Sequence, residues 1–262
     1  MDYSSLNEKQ EIIFKRIKSH YQNTLISSQV EPLRIVIMET AGTGKSYLIK
    51  AIRNTLHKMA EKEIKTPLLV LAPTGVAAFN IRGRTIHSAL SIPICNSNNN
   101  LDMKGERLKR LQQRLEGMKY IIIDEKSMVR RRMLALINMR LCQVFPEHNN
   151  EPFSGRSIIL FRDFGQLPPI LDLLMYANTQ RDALSNDGFA AYKQFRKVYK
   201  LDVIQRQSGD SEEQQNFREI LLRLRNGETT IEDWKTLTLR FEEKQSREER
   251  DRFLDAIYIL TR

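Results

Sequence analysis

Short apolar runs alternate with longer stretches of helical periodicity along most of the chain. Arg34 to Met38 precedes a helical pattern over Tyr47 to Glu61, Pro67 to Ala72 precedes Val76 to Ile81, and Tyr120 to Asp124 precedes Arg131 to Val144. The runs are continuously apolar, as in strands buried on both faces, and their alternation with helices predicts an α/β fold with a parallel sheet covered on both sides. Ser157 to Phe161 and Lys197 to Leu201 read as further strands, with a short helix near Phe189 to Phe195 between them. Helices are predicted over about Ser211 to Asn226 and Ile231 to Phe241. A last strand is predicted over Ala256 to Arg262.

The polar uncharged stretch Cys95 to Gly105 reads as a loop or small insertion, bounded at about 91–105, and the mixed-charge segment Glu242 to Arg252 as a solvated helix. Two domains are expected: an α/β domain over 1–205, and a helical segment over 206–262.

At 262 residues the chain is long enough to bury a substantial core. Its 42 Lys and Arg against 32 Asp and Glu give a formal charge of +10, which suits an anionic partner such as nucleic acid. Cys95 and Cys142 fit no zinc spacing and build no disulfide framework, the pattern of a reducing compartment. Without an apolar run near eighteen residues or a signal-peptide core, an intracellular, membrane-free protein is expected.

Three segments carry chemistry. Ala41, Gly42, Thr43, Gly44, Lys45 and Ser46 lie between the first strand and a helix. Glycines there turn backbone N–H groups toward a phosphate, the helix N-terminus adds positive potential, Lys45 reaches the β- and γ-phosphates, and Ser46 coordinates Mg²⁺. Asp124 and Glu125 end a buried strand about eighty residues later. Asp124 suits the Mg²⁺ position and Glu125 suits a base that orients the attacking water. Gln166, in the turn-rich "RDFGQLPP", both donates and accepts, so it suits a sensor of the γ-phosphate. A small-molecule kinase would fit the loop alone, and would leave the third segment and "APTGVAAFNIRGRTIHS" without a purpose.

"LNEKQ", "AGTGKS", "APTGVAAFNIRGRTIHS", "IIIDEKSM", "DFGQLPP" and "VIQRQ" occur in the order in which they stand in Pif-one-like helicases, and over nearly its whole length the chain resembles that family. The resemblance implies a P-loop NTPase of RecA-like fold and an ATP-dependent DNA helicase that uses ATP and Mg²⁺, moves along single-stranded DNA with 5′ to 3′ polarity, and opens forked duplex DNA. It implies that Gln10 reads the adenine and that Arg206 approaches the γ-phosphate as a built-in finger. Thr74, Gly75, Thr85 and His87 resemble the residues that hold single-stranded DNA; Arg82 and Arg84 are further candidates for phosphate contact. Nuclear or mitochondrial residence, a monomer, and roles in repair, recombination and telomere maintenance are also implied.

The sequence departs from the family in two places, with Glu39 and Arg162 where the family has glycine. A carboxylate about 5 Å from a phosphate costs roughly 1 to 3 kcal/mol, so Glu39 is expected either to turn to solvent or to pair with a base such as Arg162. A catalytically weakened relative that binds nucleic acid without efficient turnover is the alternative reading. Ending where the second RecA-like lobe is expected to begin, these residues alone are not expected to unwind DNA processively.

Overall fold

The apolar runs assemble into one six-stranded parallel sheet in the order β3-β2-β4-β5-β1-β6. The strands are β1 (Arg34–Glu39), β2 (Leu68–Ala72), β3 (Arg84–Thr85), β4 (Tyr120–Ile123), β5 (Ser157–Asp163) and β6 (Lys197–Leu201). The helices are α1 (Glu8–Ile26), α2 (Lys45–Met59), α3 (Gly75–Asn80), α4 (Ile86–Leu90), α5 (Gly105–Leu115), α6 (Arg131–Val144), α7 (Ala183–Tyr192), α8 (Glu212–Asn226), α9 (Ile231–Thr238) and α10 (Arg247–Asp251). This computed structural model describes residues 5–27, 29–40, 42–60, 67–94, 102–125, 129–163, 173–205 and 211–252. The predicted strand Ala256 to Arg262, most of the polar stretch after Ile94, and Cys95 lie outside them.

Strand alternation sorts the sheet into two faces. Ile35, Ile37, Ile122, Ile159 and Phe161 pack with Ile13, Ile17 and Tyr21 of α1 and Leu48, Ile49 and Ile52 of α2. Val36, Ile121, Ile123, Ile158 and Leu160 pack on the other face with α4, α5 and α6. Each such side chain contributes roughly 1.5–3 kcal/mol by leaving water.

Helix α1 was not anticipated from the apolar pattern. Its stripe of Ile13, Phe14, Ile17 and Tyr21 is buried, but it is thin and interrupted by charge. The charge-rich segment 242–252 forms a short 3-10 turn (Glu242–Lys244) and then α10, rather than one helix.

Residues 177–186, at the start of α7, are tied down by Arg131, which is fully buried. Its guanidinium donates to the carbonyls of Ser185 (2.8 Å), Ala177 and Thr179 (both 2.9 Å) and to Asn186 Oδ1 (3.0 Å). No carboxylate neutralises it among these partners; carbonyl dipoles do.

Residues 1–206 and 207–262 form two compact units. In the second, Ser211 caps α8, and Thr230 and Asp233 form a capping box on α9. Arg223 grips Asp233 with two hydrogen bonds of 2.9 and 2.7 Å. Cys142, in α6, is a half-buried free thiol. Among the described residues no helix is long and apolar enough to cross a membrane.

Candidate nucleotide site and nucleic-acid edge

Between β1 and α2 the carbonyls of Thr40, Gly42 and Thr43 are each held by a hydrogen bond. Asn7 caps α1 and forms a capping box with Gln10, whose Oε1 accepts from the Asn7 N–H (3.2 Å). This turns Gln10 Nε2 onto the carbonyl of Thr43, at 2.8 Å. Thr43 Oγ1 donates to the Thr40 carbonyl (3.0 Å), and the Gln205 N–H donates to the Gly42 carbonyl (2.7 Å). Gly42 and Gly44 take φ values of 86° and 79°, which L side chains rarely adopt. A Cβ on Gly44 would also lie 2.6 Å from Gln10 Nε2. Lys9 supports the arrangement by pairing with Asp202, just after β6, at 2.6 Å.

Helix α2 starts at Lys45 without a side-chain cap, so its first turn presents backbone N–H groups and the positive end of the helix dipole. Lys45 is surrounded by acid. Its Nζ lies 2.7 Å from Glu39 Oε1, 2.9 Å from Asp124 Oδ1 and 2.6 Å from Glu125 Oε1. The Glu125 contact is a hydrogen bond, and Glu39 and Asp124 stand at ion-pair distance from the same nitrogen. Asp124 extends the β4 ladder, its N–H donating to the Leu71 carbonyl at 2.8 Å, and its Oδ1 accepts from the Glu125 N–H. Glu125 takes φ 50°, a strained conformation for a residue with a side chain.

Burial and crowded charge shift the protonation of Glu39, Asp124 and Lys45. Burial pushes the Glu39 carboxyl up to about 7; Lys45 opposes the rise, and Asp124 and Glu125 reinforce it. Burial likewise raises Asp124, against Lys45. For Lys45 burial favours losing the proton, but Asp124, Glu39 and Glu125 outweigh it and hold the ammonium well above the usual lysine value.

Neither expected placement of Glu39 is found. It is 7% exposed, so it does not face solvent. Its register partner on β5 is Asp163; Arg162 stands opposite Met38, on the other face of the sheet. The Arg162 guanidinium packs 4.6 Å from the centroid of the Tyr176 ring. β1 runs one residue beyond the predicted strand, and by its alternation Glu39 shares the face of Ile35 and Ile37, where α2 brings Lys45.

The four candidate DNA contacts stand at the C-terminal ends of neighbouring strands, β2 and β3. Thr74 Oγ1 caps α3 by accepting from the Ala77 N–H (3.3 Å), and Gly75 is exposed with open space around it. Thr85 caps α4 by accepting from the Ser88 N–H (3.2 Å). His87 Nδ1 is bonded to the Ile92 carbonyl at 3.1 Å, a structural tie that fixes its ring. Ala41, Gln166 and Arg206 lie outside the described residues. The clamping roles of Thr43 and Gln205 had no signal in the sequence; the Asn7-x-x-Gln10 capping box did.

A sequence model of PIF1-like helicases matches residues 5–235. The chain belongs to the PIF1-like helicase family. It is 31% identical over 216 residues to the ATP-dependent DNA helicase PIF1 of Candida albicans, covering 80% of this chain and 23% of that protein. It is 29% identical over 204 residues to the ATP-dependent DNA helicase Pif1 of a Psychrobacter species, covering 75% of this chain and 29% of the relative. The chain thus spans less than a third of these PIF1-like relatives. The crystal structure of Pif1 helicase from Candida albicans superposes with a TM-score of 0.66 at 27% identity, over 88% of this chain and 46% of that one. Pif1 helicase from Bacteroides in complex with ADP-AlF3 and single-stranded DNA gives 0.61 at 26%, over 92% and 57%. Both share the PIF1-like P-loop architecture described above.

Proposed function

We propose that this chain is the ATP-binding lobe of a DNA helicase that couples ATP hydrolysis to 5′ to 3′ movement on single-stranded DNA and to opening of forked duplexes. The observation that carries the reading is the placement of Lys45, at the first turn of α2, against Asp124 and Glu125 at the end of β4. In this reading Lys45 exchanges carboxylates for the β- and γ-phosphates, Glu125 orients the attacking water, and Gln166 and Arg206 sense and neutralise the γ-phosphate. Gln10 is the adenine-reading candidate, with its side chain already oriented by Asn7 and Thr43.

The hydroxyl of Ser46 and the carboxylate of Asp124 are hard oxygen donors that fit Mg²⁺. No group of three acidic, His or Cys residues among the described ones suits a metal by itself, so the ion would enter with the nucleotide. Once bound, it would neutralise developing phosphate charge. Thr74, Gly75, Thr85 and His87 would hold the DNA backbone without reading its sequence. The family supports roles in repair, recombination and telomere maintenance, in the nucleus or mitochondrion, and a monomer.

Glu39 supports a second reading, a relative weakened in turnover, because a buried carboxylate holds the lysine that the phosphate needs. Measuring Mg-ATP affinity and DNA-stimulated phosphate release, with Lys45→Ala as the blank, separates the two. Stimulated turnover supports the helicase lobe. DNA binding with no turnover supports the weakened relative, and no nucleotide binding at all sinks the ATPase reading.

A further inference from the structure

From residue 64 to residue 101 the sequence contains no Asp or Glu. The part of this stretch that crosses from β2 through α3 and β3 to α4 carries two exposed arginines, Arg82 and Arg84. Two more guanidiniums reach this crossover from other elements. Arg53 of α2 donates to the Ile81 carbonyl at 2.9 Å, and Arg114 of α5 donates to the Ala89 carbonyl at 2.6 Å. Among the described residues no carboxylate pairs with any of the four, although α5 carries Glu106, which pairs with Arg110 instead. Burial and the neighbouring Arg82 together hold the Arg53 guanidinium below its usual value, and burial and Arg84 do the same to Arg114, as expected where like charges gather. Hydrogen bonds to the Ile81 and Ala89 carbonyls account for Arg53 and Arg114, whereas the exposed Arg82 and Arg84 add like charge beside them, which repulsion disfavours.

Two further observations specify the ligand. Phe79 is 83% exposed and Val76, one turn earlier, is 74% exposed, so an aromatic ring stands in water beside the arginines. Arg82 ends α3 in the left-handed region, with φ 50° and with the Arg82 and Gly83 N–H groups bonded back to Phe79 and Ala78. Helices that end in this way favour glycine at that position, so the charge is kept where the backbone would prefer no side chain. Guanidiniums beside an exposed ring suit single-stranded nucleic acid, whose phosphates are separated by unstacked bases.

We infer that Phe79, Arg82 and Arg84, supported by Arg53 and Arg114, form a subsite for single-stranded nucleic acid in which Phe79 stacks on a base and the arginines hold the flanking phosphates. The subsite belongs to the same crossover from β2 to α4 as Thr74, Gly75, Thr85 and His87, and it rests on the reading of the chain as a DNA-binding helicase lobe.

The test is fluorescence titration of the full chain with an oligo-thymidylate carrying 2-aminopurine, over a range of salt, beside a duplex of the same length. Phe79→Ala is expected to weaken single-strand binding roughly five- to a hundredfold and to abolish the stacking quench, with the salt slope unchanged. Arg82→Gln with Arg84→Gln is expected to flatten the salt slope by about 0.7 per guanidinium. Arg82→Gly is expected to weaken binding while raising the thermal midpoint, an outcome that misfolding cannot produce. If the wild type binds the single strand and the variants bind it equally well, the subsite is wrong and the helicase reading stands. If the variants lose duplex affinity alone, the single-strand assignment is wrong. If the wild type binds no DNA, both fall.

Discussion

Replacing Glu39 by Gln removes a charge and almost no volume from the centre of the nucleotide site. Glu39 Oε1 and a phosphate oxygen taken by Lys45 would both lie within contact of one ammonium, so the two anions would stand about 5 Å apart. Their repulsion is roughly 1 to 3 kcal/mol between the dielectric of water and that of a protein surface. Protonation limits the penalty, however. A carboxyl raised to about 7 can accept a proton as the nucleotide arrives, and the cost of doing so is about 1.4 kcal/mol for each pH unit above that value. At pH 8 the wild type therefore loses at most about tenfold in Mg-ATP affinity relative to Glu39→Gln, and at pH 6 the two should be indistinguishable. Titration calorimetry at both pH values, with Lys45→Ala as blank, makes the comparison. In buffers of different ionisation enthalpy, wild-type binding at pH 8 should also take up roughly 0.2 to 0.9 of a proton, more the stronger the repulsion. A gain in Glu39→Gln that persists undiminished at pH 6, or that far exceeds tenfold at pH 8, would refute the protonation argument.

Three further outcomes are expected. Glu39 has a higher value in the fold than its ordinary 4.5, so between pH 4.5 and about 7 the folded state binds more protons than the unfolded one, and stability falls as pH rises through that window; urea unfolding should find Glu39→Gln neutral below the window and more stable by about 3 kcal/mol above it. Arg131→Ala leaves three carbonyls and Asn186 without their buried donor and should cost about 3 to 5 kcal/mol in urea unfolding, with Arg131→Lys restoring little because an ammonium lacks the planar fork. Gly44→Ala meets both an unfavourable φ of 79° and the Gln10 side chain at 2.6 Å, and calorimetry should show Mg-ATP affinity down at least about tenfold.

Much of this fold was legible in the sequence because a strand buried on both faces leaves an unbroken apolar run. Arg131–Val144 and Lys197–Leu201 fall where their patterns put them, and Asp124 and Glu125 stand at the end of a buried strand as "YIIIDE" implies. Helix α1 was not legible from its pattern, because one buried stripe among many charges is a faint signal, and only the sheet it packs against makes it a core helix. The pairing of Lys45 with two carboxylates about eighty residues away follows from strand order, which brings the ends of β1 and β4 to one edge with β5 between them.

The sequence by itself determined the chemistry available, namely a phosphate loop, its lysine and two acids, along with the residues that depart from the family. Only the tertiary structure decided what Glu39 does. A departure from glycine reads alike whether the side chain faces solvent, Arg162 or Lys45, and the choice among them rests on strand parity and register. Both are properties of the assembled sheet, because side chains alternate between faces and neighbouring strands fix which residue stands beside which.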